Sequence, residues 1–232
     1  NWFESDSYYI EHVQFADGTQ WDVTAIAGLM PEVYHATSAD DTLIGWSGID
    51  NIDGGAGNDN LNSDRGNDIL NGGAGNDFLN GGDGEDTLNG GEGDDILNDS
   101  SGDNLLKGGQ GNDVLIGTGS FEGGQGDDEL NAGNPWMSDT YLFNLGDGRD
   151  TILDSGIIGR DDTLRLGSGI SASAVHLARN GNDMIFKISE ADQVTIKNWF
   201  ESDSYYIEHV QFADGTQWDL TTINNLSNSI WL

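Results

Sequence analysis

The sequence has no cysteine and only two prolines. Disulfide scaffolds and thiolate metal sites are therefore excluded. Basic residues are nearly as scarce: eight Lys and Arg stand against 41 Asp and Glu, a formal net charge of −33. Nucleic-acid binding needs clustered Lys and Arg, so this balance argues against it. It argues equally against an anionic membrane surface. No apolar run approaches the roughly 18–20 residues of a membrane span, so no membrane insertion is expected. No leader peptide is visible.

What the chain has is glycine, 35 residues of 232, together with the acids. Seven tryptophans and 9% aromatic content leave enough apolar material for a core in part of the chain. The stretch NWFESDSYYIEHVQFADGTQWD occurs twice without a difference, at 1–22 and 198–219. A parent chain built as an array of identical neighbouring modules is expected, with residues 1–30 the tail of a preceding module.

Residues 72–98 read GGAGNDFLN GGDGEDTLN GGEGDDILN, three nine-residue units in succession. Position six of the unit falls on Asp50, Asp59, Asp68, Asp77, Asp86, Asp95, Asn104 and Asp113. Residues 117–122 form a unit three residues short, after which Asp128 takes position six. Position eight is Ile52, Leu61, Leu70, Leu79, Leu88, Leu97, Leu106, Leu115, Phe121 and Leu130. Weaker echoes place Asp150 with Ile152 and Asp162 with Leu164.

Glycines at positions one, two and four permit φ > 0 and close backbone approach, so the first six residues make a turn. Positions seven to nine make a very short strand with position eight inward. Two units give one coil of 18 residues with two thin parallel sheets, and no half-coil buries its core alone. Aspartates one coil apart then stack at roughly 4.8 Å. A column of bare carboxylates at that spacing repels itself, and a hard dication between turns reverses the sign. Carboxylate and carbonyl oxygens in a flexible turn suit Ca²⁺ better than Mg²⁺.

This repeat, G-G-x-G-x-D-x-U-x, resembles the RTX (repeats-in-toxin) family of calcium-binding parallel β-rolls. SDTYLFNLGDGRDTILD, GNDMIFKI, VTIKNWF and VQFADGTQW are similar to the tail that follows haemolysin-type β-rolls in large secreted RTX proteins. The resemblance implies an all-β fold: a right-handed parallel β-roll with a β-rich C-terminal cap. It implies several Ca²⁺ per chain, export in unfolded form through type I secretion machinery, and folding on calcium outside the cell. Toxin, protease, lipase or adhesin activity would lie elsewhere in the parent. The expected metal-site glycines are Gly54, Gly55 and Gly57, Gly72, Gly73 and Gly75, Gly81, Gly82 and Gly84, Gly90, Gly91 and Gly93, Gly108, Gly109 and Gly111, and Gly123, Gly124 and Gly126. They act with Asp50, Asp59, Asp68, Asp77, Asp86, Asp95, Asp113, Asp128 and Asp150.

Rival readings are weaker. A disordered linker needs no apolar eighth position. No window carries the EF-hand pattern. A two-acid glycosidase site could sit among so many carboxylates, but these carboxylates occupy the repeat's ligand position. The four histidines suggest no site either. His12 and His209 are one position in the duplicated segment, His176 sits in a strand-like run and His35 in the connector. No serine-elbow pattern is present, so no enzyme is expected. A saccharide-binding or adhesive rod is the alternative, using asparagines at position nine (Asn62, Asn71, Asn80, Asn89, Asn98) or the cap aromatics. Stacked amide ladders are the structural reading of those asparagines. Outward residues at position seven, Phe78, Ile96 and Val114 on one face and Ile69 and Leu105 on the other, either bind a partner or favour the strand.

The expected divisions are a connector and first degenerate coil at 31–44, the roll at 45–131, fading coils at 132–170 and the cap at 171–232. Asn180-Gly181 turns a hairpin, Asp219 caps a helix through Leu226, and Asp22 can cap Val23 to Leu29. Trp199, Phe200, Val210, Phe212 and Trp218 cover the open end of the roll. Sorting turns by edge puts Asp59, Asp77, Asp95, Asp113 and Asp128 on one side, all in intact turns. Asp50, Asp68, Asp86 and Asn104 lie opposite, where Arg65 adds a positive charge. An unbroken calcium column is expected on the first edge, and a sparser one on the second, weakest near Asn104.

Overall fold

The computed structural model describes residues 12–14, 20–22, 32–134, 136–155 and 161–228. Strands dominate, and they are stacked into a parallel β-solenoid of about six turns. Each coil places one strand in each of two facing sheets. The first sheet runs through β3 (Glu32–His35), β5 (Asp50–Ala56), β7 (Ile69–Ala74), β9 (Thr87–Glu92) and the C-terminal part of β10 (Ile96–Gln110). It continues through the later half of β11 (Val114–Gln125), β13 (Thr140–Phe143), β15 (Thr163–Leu166) and β19 (His209–Phe212). The second sheet takes β4 (Thr42–Ile44), β6 (Asn60–Asn62), β8 (Phe78–Asn80), the starts of β10 and β11, β12 (Glu129–Ala132), β14 (Arg149–Asp154) and β18 (Gln193–Ile196).

The register follows from the period. Ile52 pairs with Leu70 and Leu61 with Leu79, each one coil on. Every position-eight residue from Ile52 to Leu130 is buried, one leucine-sized side chain per half-coil. The strands are longer than a three-residue reading predicts. Ile69–Ala74 extends into the glycine turn, because Gly73 and Ala74 stay in register with Gly55 and Ala56 in one neighbouring coil and Gly91 and Glu92 in the other. In β10 the turn at 99–104 is itself strand, so the element runs through a whole half-coil.

Past Phe121 the core widens. The Phe121 and Tyr141 rings stack with centroids 5.2 Å apart, and β13 buries both Tyr141 and Phe143. The cap strands are part of the solenoid as well as its lid. Strands β18 and β19 pair in parallel with β14 and β15, so they form a last coil. Antiparallel hairpins then close both sheets. The hairpin of β16 (His176–Asn180) and β17 (Asp183–Lys187) folds onto β18, and β20 (Gln217–Asp219) onto β19. An antiparallel partner reverses the strand direction that further coils would need. Trp199, Val210, Phe212 and Trp218 are buried beneath this closure, with Phe200 packed beside them. Helix α1 (Leu220–Asn228) starts at Asp219, whose carboxylate accepts from the Thr222 amide at 2.7 Å.

In the N-terminal copy, β1 (His12–Gln14) and β2 (Gln20–Asp22) pair in a two-stranded sheet of their own. Their register, His12 with Asp22, matches His209 with Asp219. The helix expected after Asp22 lies outside the described residues. The asparagine ladder is thin: Asn89 donates to Asn71 at 3.5 Å and Asn98 to Asn80 at 3.4 Å. Phe78, Ile96 and Val114 form an in-register outward row, with Phe78 and Ile96 exposed.

Candidate metal centres

Each turn combines two kinds of glycine. Gly55 and Gly57, at positions two and four, have φ of +88° and +117°, a region where a side chain is strained. Position one is different, because its φ is ordinary and its constraint is space. A Cβ on Gly54 would lie 2.5 Å from Asp59 Oδ2 and 2.6 Å from the Gly72 carbonyl oxygen. The same pairing of the unit's own aspartate and the next coil's glycine carbonyl surrounds Gly72, Gly90 and Gly108. Asp64 takes position two of a degenerate turn at φ +74°, a strain that Asp tolerates better than most residues.

The aspartates form two stacked columns. In the first, the Asp59 amide donates to Asp77 Oδ1, Asp77 to Asp95 and Asp95 to Asp113, all at 2.8 Å. The column continues through Asp128 to Asp150, and Asp41 begins it. In the second, Asp50, Asp68, Asp86 and Asn104 are joined in the same way. Gly119 follows, with no side chain to offer, then Asp139 and Asp162. Thus one carboxylate oxygen holds the stack together. The other, Oδ2, is buried without a hydrogen-bond partner at Asp59, Asp68, Asp77, Asp86, Asp95, Asp113 and Asp128.

Burial raises the carboxyls of Asp95, Asp113, Asp128 and Asp150, and neighbouring carboxylates add to it. Asp113 is pushed up to about 6, Asp95 and Asp128 to about 7, and Asp150 to about 8. On the other column burial raises Asp50, Asp68 and Asp86. An ion-free fold thus strains against its own charge.

Asn104 shows what the turn wants. Its Oδ1 accepts from the Asp86 amide at 2.8 Å, as an aspartate's would. Its Nδ2 donates to the carbonyls of Asp99 and Ser101, at positions one and three, at 3.4 and 3.2 Å. In an aspartate turn an oxygen without a hydrogen-bond donor stands in place of that NH₂, and around Gly54, Gly72, Gly90 and Gly108 it shares its surroundings with the next coil's carbonyl oxygen. Acceptors that converge without a proton need a cation, and an all-oxygen set fits Ca²⁺. The position-six carboxylate and the carbonyls at positions one and three would hold it.

Arg65, expected beside the second column, lies outside it. Its side chain is 70% exposed and pairs with Asp83 one coil on, at 3.3 Å. Four acids escaped the sequence reading. Asp41 and Asp139 sit at position six of units too degenerate to register. Asp99 and Asp154 occupy position one, where a glycine was expected. Asp139, Asp154 and Asp162 are buried with carboxylate oxygens within 4.8 Å of one another, a group able to hold a metal. The Tyr141 hydroxyl donates to Asp154 at 2.9 Å. No helix among the described residues is long and apolar enough to cross a membrane.

Compared with known families, residues 35–70, 62–97 and 89–121 match the RTX calcium-binding nonapeptide repeat (4 copies). Residues 1–25 and 183–222 match the haemolysin-type calcium binding protein related domain. Iron-regulated protein FrpA of Neisseria meningitidis serogroup C is 36% identical over 92 residues, which cover 38% of this chain and 8% of that protein. Among solved structures, the extracellular lipase LipA from Serratia marcescens matches with TM-score 0.44 and 22% identity. That match covers 78% of this chain and 40% of the lipase. The glycine-aspartate turns of residues 35–121 are thus RTX calcium-binding nonapeptide repeats, flanked by matches to the haemolysin-type calcium binding protein related domain.

Proposed function

We propose that this segment is a calcium-driven folding module of a large secreted protein, a disordered acidic chain that becomes a rigid roll when several Ca²⁺ occupy its aspartate columns. The buried Oδ2 atoms carry this reading, since they have no hydrogen-bond donor and share the space over the position-one glycines Gly54, Gly72, Gly90 and Gly108 with the next coil's carbonyl oxygen. The module's own apolar contribution is small. One leucine per nine residues returns less than the ordering of nine glycine-rich residues costs, so the ions are part of the fold. A net charge of −33 keeps the ion-free chain expanded. Extracellular calcium modules bind at about 10⁻⁴–10⁻³ M, so the chain would stay thread-like where calcium is scarce. It would fold after passage through type I secretion machinery. Residues 1–25 and 183–222 match one domain twice, which supports an array of like modules. The role of this segment is structural, and any activity of the parent lies in other sequence.

The test is circular dichroism and hydrodynamic radius with chelator, then with millimolar Ca²⁺ or Mg²⁺. Cooperative compaction and β signal on Ca²⁺, with a poor response to Mg²⁺, are expected. A chelated chain with the same spectrum and radius as the calcium-loaded one would refute the proposal.

A further inference from the structure

We propose that Asp99 and Asp86 form a two-carboxylate Ca²⁺ site, in which Asp99 supplies from the glycine position of the repeat the charge that Asn104 withholds at position six. It rests on the calcium reading above and assigns an ion to the most degraded turn of the roll. Asp86 and Asp99 are 2% and 1% exposed. Each commits one oxygen to the backbone: Asp86 Oδ1 accepts from the Asp68 amide at 2.7 Å, and Asp99 Oδ1 from the Ser101 amide at 3.3 Å. Each leaves Oδ2 buried with no hydrogen-bond partner. Both free oxygens converge above Gly81, where a Cβ would meet Asp99 Oδ2 and would lie 2.7 Å from Asp86 Oδ2.

The geometry explains why Asp is tolerated at position one. Position-one glycines are required by crowding and not by backbone angle. This turn departs from the regular register, with a shift between Asp99 and Asn104 where it pairs with the next coil. The Asn104 amide satisfies the carbonyls of Asp99 and Ser101, so the slot on that side of the turn is filled by protons. The Asp99 side chain reaches back toward the preceding coil, where Asp86 waits with an unmatched oxygen. Asp99 thereby adds a second carboxylate to the site beside Asp86, while the Asn104 slot holds none. The arrangement recurs near the cap. Asp154 stacks in the same position-one row, through Gly117 and Ala132. It lies with the position-six residues Asp139 and Asp162 in the buried three-carboxylate group.

The experiment compares Ca²⁺ stoichiometry by equilibrium dialysis for the full chain and for Asp99→Gly, Asp99→Asn and Asp77→Asn. Asp99→Gly restores the consensus residue, so a repeat whose position one serves only as a glycine predicts no loss. The proposal predicts one ion fewer per chain for both Asp99 variants. It also predicts an anomalous calcium peak between Asp86 and Asp99 that vanishes in Asp99→Asn. Asp99→Asn preserves shape, and circular dichroism at saturating calcium verifies that each variant folds. Unchanged stoichiometry in both Asp99 variants, with one ion lost in Asp77→Asn, would overturn this site and leave the calcium columns standing. A wild-type chain that binds no calcium would overturn both.

Discussion

Replacing Asp77 by Asn and by Ala separates the two duties of a column carboxylate. Asn keeps the oxygen that accepts from the Asp59 amide at 2.8 Å. It also brings an NH₂ that can meet the turn carbonyls as Asn104 does. The fold should survive and one ion should be lost. With a site of about 10⁻⁴–10⁻³ M, that loss removes about 1.4–2.7 kcal/mol at about 10 mM Ca²⁺ and about 0.4–1.4 kcal/mol at about 1 mM. Ala also strands the buried Asp59 amide, a further cost of about 1–3 kcal/mol that calcium does not alter. Urea melts at the two calcium levels read both numbers. Asp77→Asn should show a deficit that grows with calcium, and Asp77→Ala the same slope with a constant offset. Equal melts for the two variants, or an Asn deficit indifferent to calcium, would refute this division of labour.

Gly72→Ala puts a methyl group against Asp77 Oδ2 and the Gly90 carbonyl, so calcium titration followed by circular dichroism should show a higher midpoint. Leu79→Ala empties a fully buried core position and should cost about 2–5 kcal/mol, with a similar penalty at any saturating calcium level in the same melts. In chelator, the folded-state carboxyls of Asp95, Asp128 and Asp150 lie above the ordinary value near 3.8. The folded state then binds more protons than the unfolded one between about pH 4 and 8, so stability falls as pH rises through that window. Small-angle scattering of the calcium-free chain should therefore show compaction on going from about pH 8 to 5, and expansion instead would contradict the sign.

The nine-residue period made the core and both columns legible, because a constant offset of 18 forces Leu61 over Leu79 and Asp59 over Asp77. Legibility thinned where the offset changed. Asp150 and Asp162 were legible as echoes of the repeat although they stack across 22 and 23 residues, but Asp139 lies in a unit that keeps no glycine signature. Asp139 was therefore invisible, although its stacking bond is the same as that of its counterparts. Asp99 and Asp154 were hidden for another reason: a consensus glycine position carries no expectation of a side chain. The cap strands looked like a separate lid because their connecting hairpins are local in sequence. Their pairing with β14 and β15 spans more than forty residues. Arg65 was misplaced because its linear neighbourhood gives no sign that Asp83, one coil away, draws it outward.

The central claim is that the aspartate columns are lines of Ca²⁺, and anomalous scattering from a calcium-loaded crystal tests it most directly. The expected map has an unbroken row of peaks beside Asp59, Asp77, Asp95, Asp113 and Asp128, and a shorter row beside Asp50, Asp68 and Asp86. It has none in the slot filled by the Asn104 amide. A continuous row through Asn104 with gaps along Asp59 to Asp128, or no peaks at either column, would contradict it.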